Sequence, residues 1–186
     1  MAEFASTPLR DAPPPGVTRL FLVRHGSTEA NEPLTDLGRL QSRAVGGYLR
    51  DFQIHAVYAS SMRRAVETAG FIAEPHGLEV VPVRDLRECS VGRWEGRSWD
   101  QIREEDPGGH DSFFADPVNR PHPGGESYGD VHRRVRPAMC DILERHPGQN
   151  VVVVAHNLVN RVYLAEYVGI ELKHARKLRQ MNCCLN

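Results

Sequence analysis

Residues 20–28 read L-F-L-V-R-H-G-S-T, an apolar run that ends abruptly in Arg24, His25 and Gly26. Such a run before a glycine-containing turn is typical of a buried strand, although it also fits a buried helix. Ligands of open α/β sheets bind beyond the carboxyl ends of the strands, where an imidazole can act as a nucleophile and a guanidinium can bind phosphate. The three residues alone fit a structural turn equally well, so the rest of the chain decides.

A second stretch repeats this arrangement near the C-terminus. Residues 150–155 contain four consecutive valines, the clearest buried-strand pattern in the sequence. His156 and Asn157 follow directly, and an apolar helical pattern runs from Leu158 to Val168. One histidine at a strand end is usually structural, but two strand–histidine–helix units in a small chain favour a shared site.

The segment after the first strand has the spacing of an amphipathic helix. Thr35 is a suitable N-cap, and the pattern continues to Phe52. We expect one face of this helix to be buried. Its apolar residues near helical spacing are Leu37, Leu40, Ala44, Val45 and Leu49.

A second strand and helix are predicted next. Residues 56–59 form the strand, Ser60 and Ser61 are expected to cap the helix, and Arg64 falls in its first turn. The amides of a helix N-terminus favour an anion, and an arginine there strengthens the site. A solvent-facing arginine is nevertheless the commoner arrangement.

The middle of the chain combines a third strand with irregular segments. Residues 78–83 predict the strand, and the segment 86–96 that follows contains Glu88, a candidate general acid, although most single glutamates are surface residues. Residues 98–105 predict a short capped helix. Residues 107–123 predict a loop with local turns, because they are rich in glycine, proline and aspartate.

Two aromatic residues and a proline add detail to this region. Phe113 and Phe114 are expected to anchor the predicted loop. A long helical pattern then follows residues 123–127, and Pro137 is expected to kink it.

The composition is that of a soluble globular protein. The 186 residues are 40% hydrophobic and 25% charged, and a net charge of −1 provides no overall basic field for nucleic acid. Nothing suggests a membrane protein. The cysteines have no zinc-binding or C-x-x-C spacing, which favours reduced thiols and a cytoplasmic location. They are Cys89, Cys140, Cys183 and Cys184.

The N-terminal residues differ in composition from the rest. Residues 1–16 contain Pro8 and the run Pro13–Pro14–Pro15–Gly16 with little apolar content, which predicts a flexible extension without a signal-peptide core. No repeat or change in composition divides residues 17–186, which are therefore expected to form a single domain.

Five segments together resemble the histidine phosphatase superfamily, the phosphoglycerate-mutase-like clan. They occur in the family's order and span nearly all of residues 19–186. They read V-R-H-G-S-T-E-A-N at 23–31, S-S-M-R-R-A-V-E-T-A at 60–69, E-C-S-V-G-R-W-E-G at 88–96, P-G-G-E-S at 123–127 and V-V-A-H-N at 153–157. The resemblance implies an α/β/α sandwich with a mostly parallel central sheet.

The resemblance also implies the roles of the site residues. His25 is expected to be the nucleophile that takes the phosphoryl group, and Glu88 the general acid and base, with no metal or other cofactor. The expected phosphate-binding residues are Arg24, Arg64, His156, Asn31 and Asn157.

Elementary chemistry agrees with these roles. Two guanidiniums and an imidazole can stabilise a phosphate dianion, as Mg²⁺ does in kinases. The attacking imidazole of His25 must be neutral, and the nearby Arg24 and Arg64 should lower its pKa. Glu88 must give a proton to the leaving group and later take one from water.

The chain departs from the family pattern at three places. Only Glu32 separates Asn31 from Pro33, where many relatives have a longer glycine-rich loop, so the position of Asn31 is left open. A shorter loop favours an open phosphatase over a mutase, which must keep its intermediate from water. Asn157 stands where many relatives have glycine. Relatives usually add a final strand segment after the position of Asn186, which leaves a C-terminal truncation open.

The leading hypothesis is a phosphomonoesterase that hydrolyses a small phosphorylated metabolite through a phosphohistidine. A phosphoglycerate mutase, a phosphoprotein phosphatase and a non-catalytic phosphate-binding module are the alternatives. Non-catalytic relatives usually lack a reacting group, and none is missing here. The sequence leaves the oligomeric state open, and the substrate too, among sugar phosphates, phosphoglycerates, nucleotide-derived phosphates and phosphorylated cofactor precursors.

Overall fold

The computed structural model describes residues 12–29 and 33–186, in which four parallel strands form one sheet in the order β1-β4-β2-β3. The strands are β1 (Arg19–Arg24), β2 (Ala56–Ser60), β3 (Val80–Val83) and β4 (Asn150–Ala155). The predicted parallel sheet is confirmed. All four strands end at the same edge of the sheet, which brings the residues that follow them together.

Helices cover both faces of this sheet. They are α1 (Asp36–Leu49), α2 (Arg63–Ala73), α3 (Trp99–Glu105), α4 (Pro107–Ala115), α5 (Tyr128–Glu144) and α6 (Asn157–Tyr167). Helices α1 and α2 pack on the face that contains Val152 and Val154, whereas α5 and α6 pack on the face that contains Val151 and Val153. The predicted α/β/α sandwich is therefore confirmed.

Helix α1 begins after the Thr35 cap, as predicted, but the prediction of its buried face was wrong at three positions. Leu37 and Leu40 are 57% and 63% exposed, and Ala44 is exposed as well. The buried residues are Gly38, Ser42, Val45, Gly46 and Leu49. Small side chains let this helix approach its neighbours at backbone distance, a contact that apolar periodicity does not reveal.

The prediction of a loop over residues 107–123 was wrong for its first half, which forms α4. The Asp106 carboxylate accepts a hydrogen bond from the Gly109 amide at 3.0 Å, and Pro107 occupies the first turn, where a missing N–H costs nothing. Phe113 is buried and anchors the helix, as expected for that side chain. The Ser98 cap of α3 is confirmed as a capping box.

The last residues of the chain run antiparallel along β1. The Leu22 amide donates to the Asn186 carbonyl at 3.0 Å, and the Asn186 amide donates to the Leu22 carbonyl at 2.9 Å. Residues 1–11 of the predicted extension lie outside the described residues. None of the described helices has the length and apolar composition needed to cross a membrane.

Candidate active site

Two histidines meet at the carboxyl edge of the sheet. His25 follows β1 and His156 follows β4, and these strands are direct neighbours in the sheet. The two ring centroids lie 5.1 Å apart, and the residues are only 6% and 0% exposed. The structure thus brings the two strand–histidine–helix units together, as the sequence predicts.

The hydrogen bonds of His25 fix the position of its proton. Nδ1 lies 2.7 Å from the carbonyl oxygen of Gly26, which can only accept, so Nδ1 carries the hydrogen. Nε2 accepts a hydrogen bond from Nε of Arg64 at 3.2 Å and therefore has a lone pair. Nε2 of the neutral imidazole therefore has the electron pair that a nucleophile requires.

The neutral form of His25 is favoured by its surroundings. Burial is the largest cause that lowers its pKa, to about 4, and the positive charges of Arg64 and Arg24 act in the same direction. The Gly26 carbonyl opposes this shift. The expected direction of the shift is confirmed, but burial contributes more than the arginines on which the sequence argument relied.

Two guanidiniums lie at this edge. Arg64 is in the first turn of α2 and is 3% exposed. Arg24 is the last residue of β1, and one terminal nitrogen of its guanidinium donates to the backbone carbonyl of Gln180 at 2.5 Å. The Nε of Arg24 is buried without a hydrogen-bond partner in the described chain. These groups supply fixed positive charge suited to an anion.

Glu88 approaches the site from the irregular segment after β3. One carboxylate oxygen accepts from the Cys89 amide at 2.9 Å, and the other accepts from the Leu158 amide of α6 at 3.4 Å. Burial raises the pKa of Glu88, against the opposing effects of these amides and of the site arginines. Glu88 and Arg64 line one cavity of about 260 Å³, so a carboxyl and a guanidinium face the same space.

The other two predicted site residues are asparagines. Asn31 lies outside the described residues. Asn157 is the first residue of α6, and its side-chain oxygen is buried without a partner in the described chain. A phosphate contact by either asparagine stays a prediction.

Three polar residues that the sequence did not assign to the site contact the histidines or the adjacent Gly26. The Ser60 hydroxyl lies 2.7 Å from Nε2 of His156. Thr68 accepts from the Gly26 amide at 3.0 Å, and the Asn182 side chain donates to the His25 carbonyl at 3.1 Å. Arrangements between residues so distant along the chain have no local sequence pattern.

The expected capping role of Ser60 and Ser61 was wrong. Helix α2 is preceded by Met62 as its N-cap, and no side chain caps it. Ser60 is instead the last residue of β2, beside β4, and it contacts His156. A polar residue at the carboxyl end of a central strand was the signal that could have identified it.

The family model described as histidine phosphatase superfamily (branch 1) matches residues 20–186. The chain belongs to the histidine phosphatase superfamily. Within the described residues, no group of three or more histidine, cysteine, aspartate or glutamate side chains is placed to hold a metal ion. The guanidiniums and carboxyls that line the cavity beside Glu88 in this histidine phosphatase are those of Arg64, Arg87, Glu88 and Glu95.

Several known proteins are similar to this chain in sequence or in fold. Bifunctional protein Rv2228c of Mycobacterium tuberculosis is 40% identical over 150 residues, which cover 75% of this chain and 41% of that protein. The Probable phosphoglycerate mutase GpmB of Salmonella choleraesuis is 29% identical over 178 residues, which cover 90% of this chain and 83% of that protein. A mycobacterial glucosyl-3-phosphoglycerate phosphatase, Rv2419c, has a TM-score of 0.78 and 31% identity over 90% of this chain and 88% of its own. The chain spans less than half the length of the first of these relatives.

Proposed function

We propose that this histidine phosphatase hydrolyses a small phosphomonoester through a phosphohistidine on His25. The observation that carries the proposal is the lone pair on Nε2 of His25, which the Gly26 carbonyl and the Arg64 guanidinium both specify. A neutral imidazole oriented in this way beside cations is poised to attack a phosphorus atom.

In the first step, Nε2 of His25 attacks phosphorus, and the bond to the leaving-group oxygen breaks. Glu88 gives its proton to that oxygen, and Arg24, Arg64 and His156 hold the phosphoryl oxygens. In the second step, the Glu88 carboxylate takes a proton from water, the hydroxide attacks phosphorus, and the N–P bond breaks. Inorganic phosphate leaves, and both His25 and Glu88 return to their starting forms.

The raised pKa of Glu88 supports its part in this scheme, because a buried carboxyl retains its proton to higher pH. The two arginines support a reaction without a metal, since they supply the positive charge that a phosphoryl transfer needs. A cavity of about 260 Å³ beside Glu88 suits a small leaving group. The match to the mycobacterial glucosyl-3-phosphoglycerate phosphatase supports the same class.

A mutase is the second candidate, and the match to GpmB favours it. Against it stands the single residue, Glu32, between Asn31 and Pro33, which leaves little chain to enclose a phosphorylated intermediate. A mutase would move labelled phosphate between the 2 and 3 positions of phosphoglycerate faster than it releases phosphate. We expect release to be faster.

The test is phosphate release from a panel of small phosphomonoesters in the presence of a chelator. We expect turnover in the wild type, loss of detectable turnover in His25→Ala, and a reduction of roughly 10²–10⁴-fold in Glu88→Ala. His132→Ala is a matched control, because His132 pairs with Glu166 on the surface of α5 and α6. Turnover retained in His25→Ala would exclude the phosphohistidine. Phosphate binding by a folded wild type without turnover would favour the non-catalytic module, and activity confined to phosphoproteins would favour the third alternative.

A further inference from the structure

Ser60 and His156 form a buried pair next to the candidate nucleophile. Ser60 is the last residue of β2, and His156 directly follows the adjacent strand β4. Both residues are 0% exposed. The hydroxyl oxygen lies 2.7 Å from Nε2 of the imidazole. The ring of His156 in turn lies against that of His25.

The hydrogen-bond partners of Ser60 determine which atom donates in this contact. Its oxygen already accepts the Met62 amide at 3.3 Å. In the described chain, the hydroxyl proton has one acceptor within reach, which is Nε2 of His156. A nitrogen that accepts a hydrogen bond carries no hydrogen, so the single proton of the neutral ring lies on Nδ1.

The other edge of the ring supports this placement. Nδ1 of His156 is buried and has no partner among the described residues. An unpaired buried donor is costly, and an anion in the site would satisfy it. The reverse tautomer would turn a lone pair, rather than a donor, toward the anion.

We propose that Ser60 is a positioning residue that holds His156 in the Nδ1-protonated tautomer, so that Nδ1–H donates to a phosphate oxygen. The phosphate contact rests on the proposed function, whereas the tautomer does not. The two histidines then carry their protons on the same atom for different purposes. His25 keeps Nε2 free to attack, and His156 keeps Nδ1–H free to donate.

The first test measures the tautomer without any turnover. In protein labelled with ¹⁵N-histidine, nuclear magnetic resonance distinguishes a protonated ring nitrogen from an unprotonated one, and the signals missing in His156→Gln identify the residue. We expect the wild type to show a hydrogen on Nδ1 and none on Nε2. A hydrogen on Nε2 would overturn the proposal, whatever the enzyme's activity.

The second test measures the affinity for inorganic phosphate. We expect Ser60→Ala to weaken binding roughly tenfold, as for a lost hydrogen bond to a charged group, and Ser60→Thr to restore most of it. In a His156→Gln background, Ser60→Ala should have no further effect, because Ser60 acts through His156. Ser127→Ala is the control, since it removes a buried capping hydroxyl of α5 far along the chain from β2.

The outcomes separate this proposal from the proposed function. Unchanged phosphate affinity in Ser60→Ala, or an equal loss in the His156→Gln background, overturns the role of Ser60 even if the wild type is an active phosphatase. A wild type that binds phosphate in the expected tautomer without hydrolysing esters refutes the proposed function and leaves the role of Ser60 supported.

Discussion

The directions of two hydrogen bonds determine which ring nitrogen of His25 carries the proton. A backbone carbonyl at 2.7 Å holds the proton on Nδ1, and a guanidinium that can only donate faces Nε2. Burial then keeps the ring neutral by lowering its pKa to about 4. The contacts of the proposed nucleophile therefore set its tautomer and its neutral charge without a bound phosphate.

The opposite pKa shifts of His25 and Glu88 predict a bell-shaped pH dependence of kcat/KM. Activity should rise with pH through about 4 as His25 loses its proton, and fall at higher pH as Glu88 loses the proton that the leaving group needs. In Glu88→Gln the rate should be lower and the fall at high pH should disappear. Steady-state kinetics on both enzymes with one substrate test this expectation.

The comparison of the two enzymes controls for the substrate. Ionisation of the phosphomonoester changes both profiles in the same way, so the difference between them reports Glu88 alone. An unchanged fall at high pH in Glu88→Gln would show that another group donates the proton.

The sequence predicted those site residues whose position follows from a local rule. His25 and His156 lie at strand ends and Arg64 lies in a first helical turn, and each pattern is contained in a few neighbouring residues. Asn182 is different, because it reaches the His25 carbonyl from 157 positions away along the chain. Such contacts depend on the tertiary fold, which pattern reading does not supply.

At the scale of elements, α1 supports the site by a contact between two backbones. A Cβ placed on Gly38 would lie 2.1 Å from the carbonyl oxygen of Ser27, and one on Gly26 would lie 2.6 Å from the Gly38 carbonyl. The helix therefore fits against the segment that follows His25 only without side chains at both positions. The periodicity of apolar residues predicted instead that Leu37 and Leu40 face the core. An apolar pattern predicts which side chains are buried, and it contains no information about close approach between two backbones.

Two glycine substitutions in α1 should have opposite effects. Gly38→Ala should lower the free energy of unfolding by about 1–3 kcal/mol, since the backbone must shift, and should weaken phosphate binding by displacing the segment after His25. Gly47→Ala should raise the free energy of unfolding by about 0.5–1 kcal/mol, because alanine favours a helix and nothing lies within 4 Å of the added carbon. Denaturant unfolding and phosphate titration measure both effects.

Gly47→Ala is the control, because it changes the helix propensity of α1 without changing its packing. If Gly38→Ala is as stable and binds phosphate as well as Gly47→Ala, α1 does not set the position of the His25 segment.

Helix α4 shows a similar limit of local patterns. Pro107 and two following glycines predict a loop by composition, but the Asp106 cap and the buried Phe113 outweigh them. A few well-placed contacts override weak intrinsic preferences when an aromatic side chain joins the core.

For the whole molecule, the order of strands decides where the chemistry is located. Strand β4, in which four of the six residues are valine, is buried along its full length and lies inside the sheet, whereas β3 is at an edge, where Val81 is 44% exposed. The apolar content of β4 predicted its burial. Its insertion between β1 and β2 was not predicted, and it is this insertion that places His156 between His25 and Ser60.

The buried histidines also predict how the stability of the whole fold depends on pH. Burial lowers the pKa of both His25 and His156 in the folded protein, so between about pH 6.5 and 4 the unfolded chain binds protons that the native chain does not. These two shifts therefore lower the free energy of unfolding as the pH falls through this window, whereas the raised pKa of Glu88 acts in the opposite direction. The shift of His25 alone corresponds to a loss of about 2 kcal/mol between about pH 7.5 and 5.

Urea unfolding at about pH 7.5 and 5 tests this linkage. The wild type should lose stability over this interval, His25→Gln should lose about 2 kcal/mol less, and His25→Gln/His156→Gln should lose less again, because glutamine does not titrate. The comparison uses the change with pH within each protein, so any effect of the substitution on packing cancels. An equal loss in all three proteins would mean that the two imidazoles titrate alike in the folded and unfolded chains, and the neutral nucleophile would then lack its physical basis.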